Sequence, residues 1–263
     1  MAIRHARPSP RHRLMLVVAA AVAAIMTGGI AAAADGMGTW AASRQMILVT
    51  TPDWNTNRGT LRTYERDGSG WKATGAPVDV TLGKNGSAWG IGLNVPQTHG
   101  PAKAEGDGRS PAGVFRVGEA FGYAETNSTA LPYRGLTASD YCVDVDGSPY
   151  YNQLVDEDKV GKQAVAGATE AMRRDLHFHG DHAYRIGFVI EHNPEGKKGA
   201  GSCIFAHLWK SPTSPTAGCT AMTDEAMEGL LAWLDPKKKP VFVLLPRAEY
   251  LHLRDAWGLP KAL

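Results

Sequence analysis

The chain has 263 residues, which suits one domain of ordinary size and a short additional segment. A hydrophobic fraction of 43% permits a sizeable core, and 30 Gly and 16 Pro favour a turn-rich body of strands over a helical bundle. The formal net charge of +2 depends on residues 1–34, which hold four Arg and no acidic residue. Without residues 1–34 the chain has 24 basic and 26 acidic residues, a formal net charge of −2. A chain without excess positive charge gives little support for nucleic-acid binding.

Residues 1–34 have the order of a secretory signal peptide. Four Arg residues precede an unbroken apolar run at 14–26, and a glycine pair and a small-residue stretch ending at Ala34 follow. A membrane-spanning helix, the alternative, needs about 20 apolar residues, and the glycine pair interrupts the stretch. We therefore expect cleavage after Ala34, export to the periplasm or cell wall, and no stable membrane anchor in the mature protein.

The remaining chain reads as one domain dominated by β-strands. Residues 35–44 are predicted to be a loose lead-in. No linker or repeat divides residues 45–263, so they are predicted to form one domain. Its class is mixed α/β, with mixed sheets and a few flanking helices. Apolar and β-branched runs between turn residues mark the strands. The predicted strands are 46–51, 61–66, 71–73, 78–82, 114–117, 186–191, 203–208 and 241–245.

Three helices are predicted. The first covers residues 162–174. The second has Thr223 as its N-cap, followed by two acidic residues in the first turn, and ends at Pro236. The third starts at Arg247 and ends near Gly258.

A cysteine and a histidine lie close enough in the chain to form a nucleophile and a base. A predicted strand delivers His207, and a loop rich in Ser, Pro and Thr leads to Cys219 twelve residues later. A free thiol has a pKa near 8.5, and a neighbouring imidazole takes its proton or stabilises the thiolate. The backbone of Thr216, Ala217 and Gly218 is a candidate for oxyanion or substrate contacts. The alternative is a buried, inert Cys219 and a core His207.

Two motifs resemble those of the L,D-transpeptidase (YkuD-type) catalytic domain. Residues 216–219 (TAGC) match the family's Ser/Thr-x-Gly-Cys, and His207 stands where the family has its base. Residues 106–115 (GDGRSPAGVF) resemble the upstream GD-x-(S/T)-P-x-G-x-F signature, so the resemblance spans roughly residues 45–250. The branch is divergent, because family residues Gly, His and Arg are replaced by Leu208, Ala217 and Ala221.

The resemblance implies a cysteine acyltransferase that acts on peptidoglycan stem peptides without a metal or organic cofactor. Cys219 would attack the amide that follows the L-centre of diaminopimelate and form a thioester. An amine of a second stem or of a protein would then complete L,D-transpeptidation in cell-wall cross-linking or remodelling, whereas water would make the chain an L,D-endopeptidase or carboxypeptidase. A non-catalytic wall-binding module is the alternative from another class. We expect a monomer.

Three further residues are candidates for substrate contact. The guanidinium of Arg109 suits the carboxylates of a stem peptide, and a structural salt link explains it equally well. His192 either lines the cleft or caps a strand end, and Trp209, two residues after His207, forms a cleft wall or part of the core. The run HFHGDH at 177–182 gathers three imidazoles and a carboxylate, but such a compact run favours a solvated turn over a metal site.

Cys142 and Cys203 are the candidate disulfide. In an exported protein an odd cysteine count leaves one thiol over, and the implied mechanism needs Cys219 free. The remaining two lie in strand-like segments and would form the bridge. The alternative is a pair of buried free thiols.

Overall fold

A computed structural model describes residue 1 and residues 38–68, 70–177, 180, 182–261 and 263. The predicted signal peptide, apart from its first residue, lies outside the described residues. In the part of the chain that is described, no helix has the length and apolarity needed to cross a bilayer.

The described residues form fourteen strands, four α-helices and three short 3-10 helices, which confirms the predicted β-dominated mixed fold. The strands are β1 Gln45–Thr51, β2 Arg58–Arg66, β3 Trp71–Ala73, β4 Val78–Thr81, β5 Ser87–Trp89, β6 Ser110–Gly122, β7 Tyr133–Gly135, β8 Asp140–Cys142, β9 Leu154–Asp156, β10 Glu170–Ala171, β11 Ile186–Ile190, β12 Phe205–Leu208, β13 Thr220–Met222 and β14 Val241–Pro246. The helices are α1 Glu157–Val160, α2 Arg174–His177, α3 Asp224–Trp233 and α4 Arg247–Leu253, and the 3-10 helices are Gly38–Trp40, Lys162–Val165 and Pro236–Lys238.

The large sheet closes on itself. Its strand order is β1-β14-β6-β11-β12-β13-β4-β2, and β2 also pairs antiparallel with β1. The β1–β14 and β12–β13 pairs are parallel, and most other pairs of this ring are antiparallel. Every residue of β14 is buried, because the strand lies between β1 and β6 with α4 packed over it.

Helix α3 begins as predicted. The side chain of Thr223 accepts a hydrogen bond from the Ala226 amide at 3.2 Å, which satisfies one of the open donors at the helix start. Met227, Leu230 and Leu231 form its buried face, and the helix packs against β11 and β12. The helix ends at Trp233, before Pro236, which instead begins a 3-10 helix.

A second, three-stranded sheet has the strand order β10-β8-β9. A disulfide between Cys142 of β8 and Cys203, just before β12, joins the two sheets, with their Cα atoms 5.8 Å apart. This is the pair expected from the sequence. Cys219 is the free cysteine.

The predicted helix at 162–174 is wrong. Gly161 and Gly167 have positive φ values of 86° and 83°, which suit glycine, and the chain between them forms only a short 3-10 turn. Glu170 and the residue after it then pair with β8 as strand β10. Tertiary pairing therefore overrides the local helical pattern.

The described part of the predicted lead-in, residues 38–44, contains a buried aromatic residue. Trp40, in the 3-10 turn Gly38–Trp40, is only 1% exposed and belongs to the main hydrophobic core. The Ser43 amide donates to the Trp40 carbonyl at 2.9 Å, which closes the turn ahead of β1. Burial of a large indole ring explains why this segment does not behave as a loose end.

Candidate active site

Two hydroxyls hold the backbone of Cys219. Its carbonyl accepts hydrogen bonds from the Thr216 hydroxyl at 2.7 Å and from the Ser110 hydroxyl at 3.0 Å. The fully buried Ser110 hydroxyl also accepts from the Gly83 amide at 2.9 Å. Ser110 therefore ties the loop before β13 to the start of β6 and to the turn after β4.

The loop backbone passes close to its neighbours. Thr216 bridges to Gly83 in parallel pairing, and a side chain at Gly218 would meet the Arg109 carbonyl oxygen at 3.0 Å. The Gly218 amide donates to the Thr216 hydroxyl at 3.1 Å, so in this arrangement it serves the loop rather than an oxyanion. Ala217 is exposed at the tip.

The strand register brings His207 to the face on which Cys219 lies. In the parallel β12–β13 pair, His207 is opposite Ala221, and continuing the register places Phe205 opposite Cys219. Phe205 and His207, two residues apart on one strand, point to the same side. Tyr184 contacts both rings edge-on, with centroid distances of 6.0 Å to Phe205 and 5.5 Å to His207.

His207 is oriented by backbone. Its Nδ1 lies 2.8 Å from the Leu208 carbonyl oxygen, and because a carbonyl only accepts, Nδ1 carries the proton of the neutral ring. The lone pair of that tautomer is on Nε2. The ring is thereby set as a proton acceptor through Nε2.

The sulfur of Cys219 is covered. The residue is 7% exposed, the Phe205 amide donates to Sγ at 3.4 Å, and the thiol donates to the Cys203 carbonyl at 3.6 Å. Burial raises the pKa of the Cys219 thiol to about 12, with a further contribution from the negative charge of Glu170. The Phe205 hydrogen bond and the charge of Lys103 act in the opposite direction. In this conformation the thiol is protonated at neutral pH.

An apolar cluster shared by both sheets covers the thiol. It joins Cys219 to the disulfide and to residues of β6, β12 and the segment before β11. A cavity of about 670 Å³ adjoins this cover, with a wall that includes Tyr123 and Leu136 of the cluster. The buried members are Phe121, Tyr123, Leu136, Cys142, Met172, Ala183, Tyr184, Cys203, Phe205 and Cys219.

Comparison with known families identifies this architecture. A family model described as the L,D-transpeptidase catalytic domain (YkuD) matches residues 50–243. The chain belongs to the YkuD family. Its members typically act on the cell wall, so this is an L,D-transpeptidase-like enzyme in the general sense. Neither the curated proteins nor the solved structures gave a match.

Arg109, within the family's upstream motif, has a structural position. Its guanidinium donates to the carbonyl oxygens of Trp54 and Ser87 at 3.0 and 2.9 Å and to the Asn55 side chain at 3.0 Å. Three oxygen acceptors in neighbouring segments thus hold the group expected to bind a substrate carboxylate. These partners are carbonyl and amide oxygens rather than the carboxylate of a salt link, and the contact of Arg109 with substrate stays a prediction.

His192 is likewise committed to the fold. The ring is 2% exposed, Nδ1 accepts from the Ile91 amide at 3.1 Å, and Nε2 donates to the Ala200 carbonyl at 2.9 Å. Burial lowers the pKa of His192 to about 4. The ring clamps two loops as a neutral imidazole and leaves neither nitrogen for a substrate. Trp209 remains a candidate cleft wall, since it is half-buried and its amide donates to the Met222 carbonyl at 2.9 Å beside β12.

The histidine run at 177–182 is only partly described. Phe178, His179, Asp181 and the side chain of His177 lie outside the described residues, whereas His182 is exposed. Among the described residues, no group of three His, Cys, Asp or Glu side chains has an arrangement that could hold a metal ion.

The sequence motifs missed three residues beside the thiol. Ser110 lies inside the upstream motif, yet only the fold reveals that its hydroxyl reaches Cys219. Glu170 falls in the stretch predicted as a helix, and Tyr184 precedes β11 with no motif around it. The useful signal was the Ser of the SP pair, because a hydroxyl at the start of a buried strand needs a partner.

Proposed function

We propose that the enzyme forms a thioester between Cys219 and a peptidoglycan stem peptide and transfers the acyl group to an amine. The observation that supports the proposal is the Cys219 loop, held by two hydroxyls, on the same face as a His207 whose Nδ1 donates to the Leu208 carbonyl. No step in this chemistry calls for a cofactor.

The reaction follows from these two side chains. His207 Nε2 takes the thiol proton, and the sulfur attacks the carbonyl carbon of the amide after the L-centre of diaminopimelate. The carbon–nitrogen bond breaks, and the leaving D-residue amine takes the proton from His207. The thioester is then open to an amine, which gives transfer, or to water, which gives hydrolysis.

The covered thiol adds a requirement. A sulfur with a pKa of about 12 is a poor nucleophile at neutral pH, so the donor has to displace part of the covering cluster before attack. We expect alkylation of Cys219 by iodoacetamide to be slow in the free protein and faster when a non-hydrolysable stem-peptide analogue is bound.

Muropeptide turnover tests the proposal. Purified protein is incubated with tetrapeptide-containing muropeptides, and products are identified by mass together with the acyl adduct on Cys219. Cys219→Ala should abolish both adduct and turnover, and His207→Ala should slow acylation by about 10²- to 10⁴-fold. Thr213→Ala, in the exposed part of the same loop, is the matched control and should behave as wild type.

The outcomes separate the candidate functions. Cross-linked or exchanged products identify a transferase, and shortened peptides alone identify a hydrolase. Full turnover by Cys219→Ala would exclude the mechanism. Binding to wall fragments without any adduct or turnover would leave the non-catalytic module.

We further propose that the protein is exported and works in the periplasm or cell wall as a monomer. The basic and apolar order of residues 1–34 supports export, as does the Cys142–Cys203 disulfide, which suits an oxidising compartment. Mass analysis of the secreted protein should give Asp35 as its first residue. A protein retaining residues 1–34 would contradict the cleavage.

A further inference from the structure

Strand β10 brings the carboxylate of Glu170 to the side of the domain where Cys219 is covered. Glu170 pairs with Cys142 across β8, and the disulfide links Cys142 to Cys203. The carbonyl of Cys203 in turn accepts from the Cys219 thiol at 3.6 Å. Directly opposite residues of an antiparallel pair point to the same face, so the Glu170 side chain lies on the face of β8 that carries the disulfide.

Tyr184 provides a second, independent path. Its hydroxyl donates to Oε1 of Glu170, and its ring packs edge-on against Phe205 and His207. The Phe205 amide donates to the sulfur at 3.4 Å. Glu170 is thus held on the side of the site where both the thiol and the imidazole lie.

A carboxylate in this position has opposite effects on the two halves of the reaction. It opposes formation of the thiolate, and its charge raises the pKa of the Cys219 thiol. In the thioester the sulfur carries no negative charge, so that penalty is absent while the acceptor binds. The next reactant is an amine that reaches the site as an ammonium ion, which a carboxylate attracts.

We propose that Glu170 selects a cationic primary amine over water as the acceptor of the acyl-enzyme, an inference that rests on the proposed thioester. The ammonium binds beside Glu170 and gives up two protons in all. His207 takes one and passes it to solvent, and the other ends on the Cys219 sulfur. The new carbon–nitrogen bond forms as the carbon–sulfur bond breaks, so no oxidant or reductant is needed.

Two acceptors that differ in charge test this selection. Nα-acetyl-lysine amide carries an ammonium group at neutral pH, whereas hydroxylamine is uncharged. The ratio of transfer product to hydrolysed donor is measured by mass for each acceptor in wild type and Glu170→Gln. Glu65→Gln is the matched control, because Glu65 pairs with Lys238 at 2.7 Å and lies outside the cluster that covers Cys219.

Loss of the charge should lower the ratio for acetyl-lysine amide by about two- to fivefold, the effect of one partly exposed ion pair. The ratio for hydroxylamine should be unchanged, as should both ratios in Glu65→Gln. A fall of equal size for both acceptors would assign Glu170 a structural position and overturn the inference. An unchanged ratio for both would overturn it as well.

The wild-type protein gives a second measurement if Glu170→Gln does not fold. Raising the salt concentration from about 0.05 M to 0.5 M screens ionic attraction and should lower the ratio for acetyl-lysine amide but not for hydroxylamine. A salt-independent ratio overturns the inference. Failure of the proposed function looks different, because wild type would then show no acyl adduct on Cys219 at all.

Discussion

Replacement of Ser110 by alanine tests whether the Cys219 loop is held from β6. The side chain is 0% exposed and its hydroxyl makes two hydrogen bonds, one donated to the Cys219 carbonyl and one accepted from the Gly83 amide. Ser110→Ala removes both. The Cys219 carbonyl keeps the hydrogen bond from Thr216, but the Gly83 amide loses its partner in a buried position.

The expected cost follows from these two bonds. A typical hydrogen bond contributes about 1 kcal/mol net, and a buried donor left without a partner costs about 1 to 3 kcal/mol. The sum predicts a loss of about 2 to 4 kcal/mol in the free energy of unfolding. For a domain of this size that corresponds to a fall in Tm of roughly 4 to 16 °C.

Urea unfolding of the oxidised protein, followed by tryptophan fluorescence, measures the effect. Ser211→Ala is the control, because its hydroxyl bonds other hydroxyls near the surface of the same loop. It should change the unfolding free energy by less than about 0.5 kcal/mol. If Ser110→Ala is no less stable than Ser211→Ala, the hydroxyl does not anchor the loop, and the argument for a clamped Cys219 backbone fails.

Three other predictions concern the surroundings of the site. Replacing Cys142 and Cys203 together by alanine should lower the unfolding free energy by about 4 kcal/mol, because the disulfide closes a loop with a sequence separation of 61; equal urea midpoints for the variant and the oxidised wild type would contradict this. Gly218→Ala should slow formation of the acyl adduct, since the added methyl group lies 3.0 Å from the Arg109 carbonyl and the loop has to shift; an unchanged rate would show that the loop tolerates the shift. His192 has a folded pKa of about 4, below its ordinary value near 6.5, so the unfolded chain binds the extra proton as pH falls. The contribution of the neutral His192 ring to the free energy of unfolding should be complete above about pH 6.5 and should fall by up to about 3 kcal/mol towards pH 4. Urea unfolding of His192→Gln should therefore depend less on pH in this range than urea unfolding of the wild type.

The sequence by itself determined the family and the framework of the domain. Strands with apolar and β-branched runs, such as β1 and β14, were predicted within one or two residues, because burial on both faces leaves a continuous pattern. The Thr223 cap and the nucleophile loop at residues 216–219 were also predicted from the sequence. Both features depend on the identity of a few neighbouring residues.

Only the tertiary structure decided what surrounds Cys219. Glu170 entered a strand because β8 offers it a pairing edge, although the local pattern favours a helix. Arg109 and His192 are held by partners distant in the chain, the Trp54 carbonyl and the Ile91 amide, and the sequence pattern did not indicate either contact. The burial that raises the pKa of the Cys219 thiol likewise comes from packing between two sheets. Such contacts depend on which segments pack together in the folded chain, and the spacing of residues along the sequence does not determine that packing.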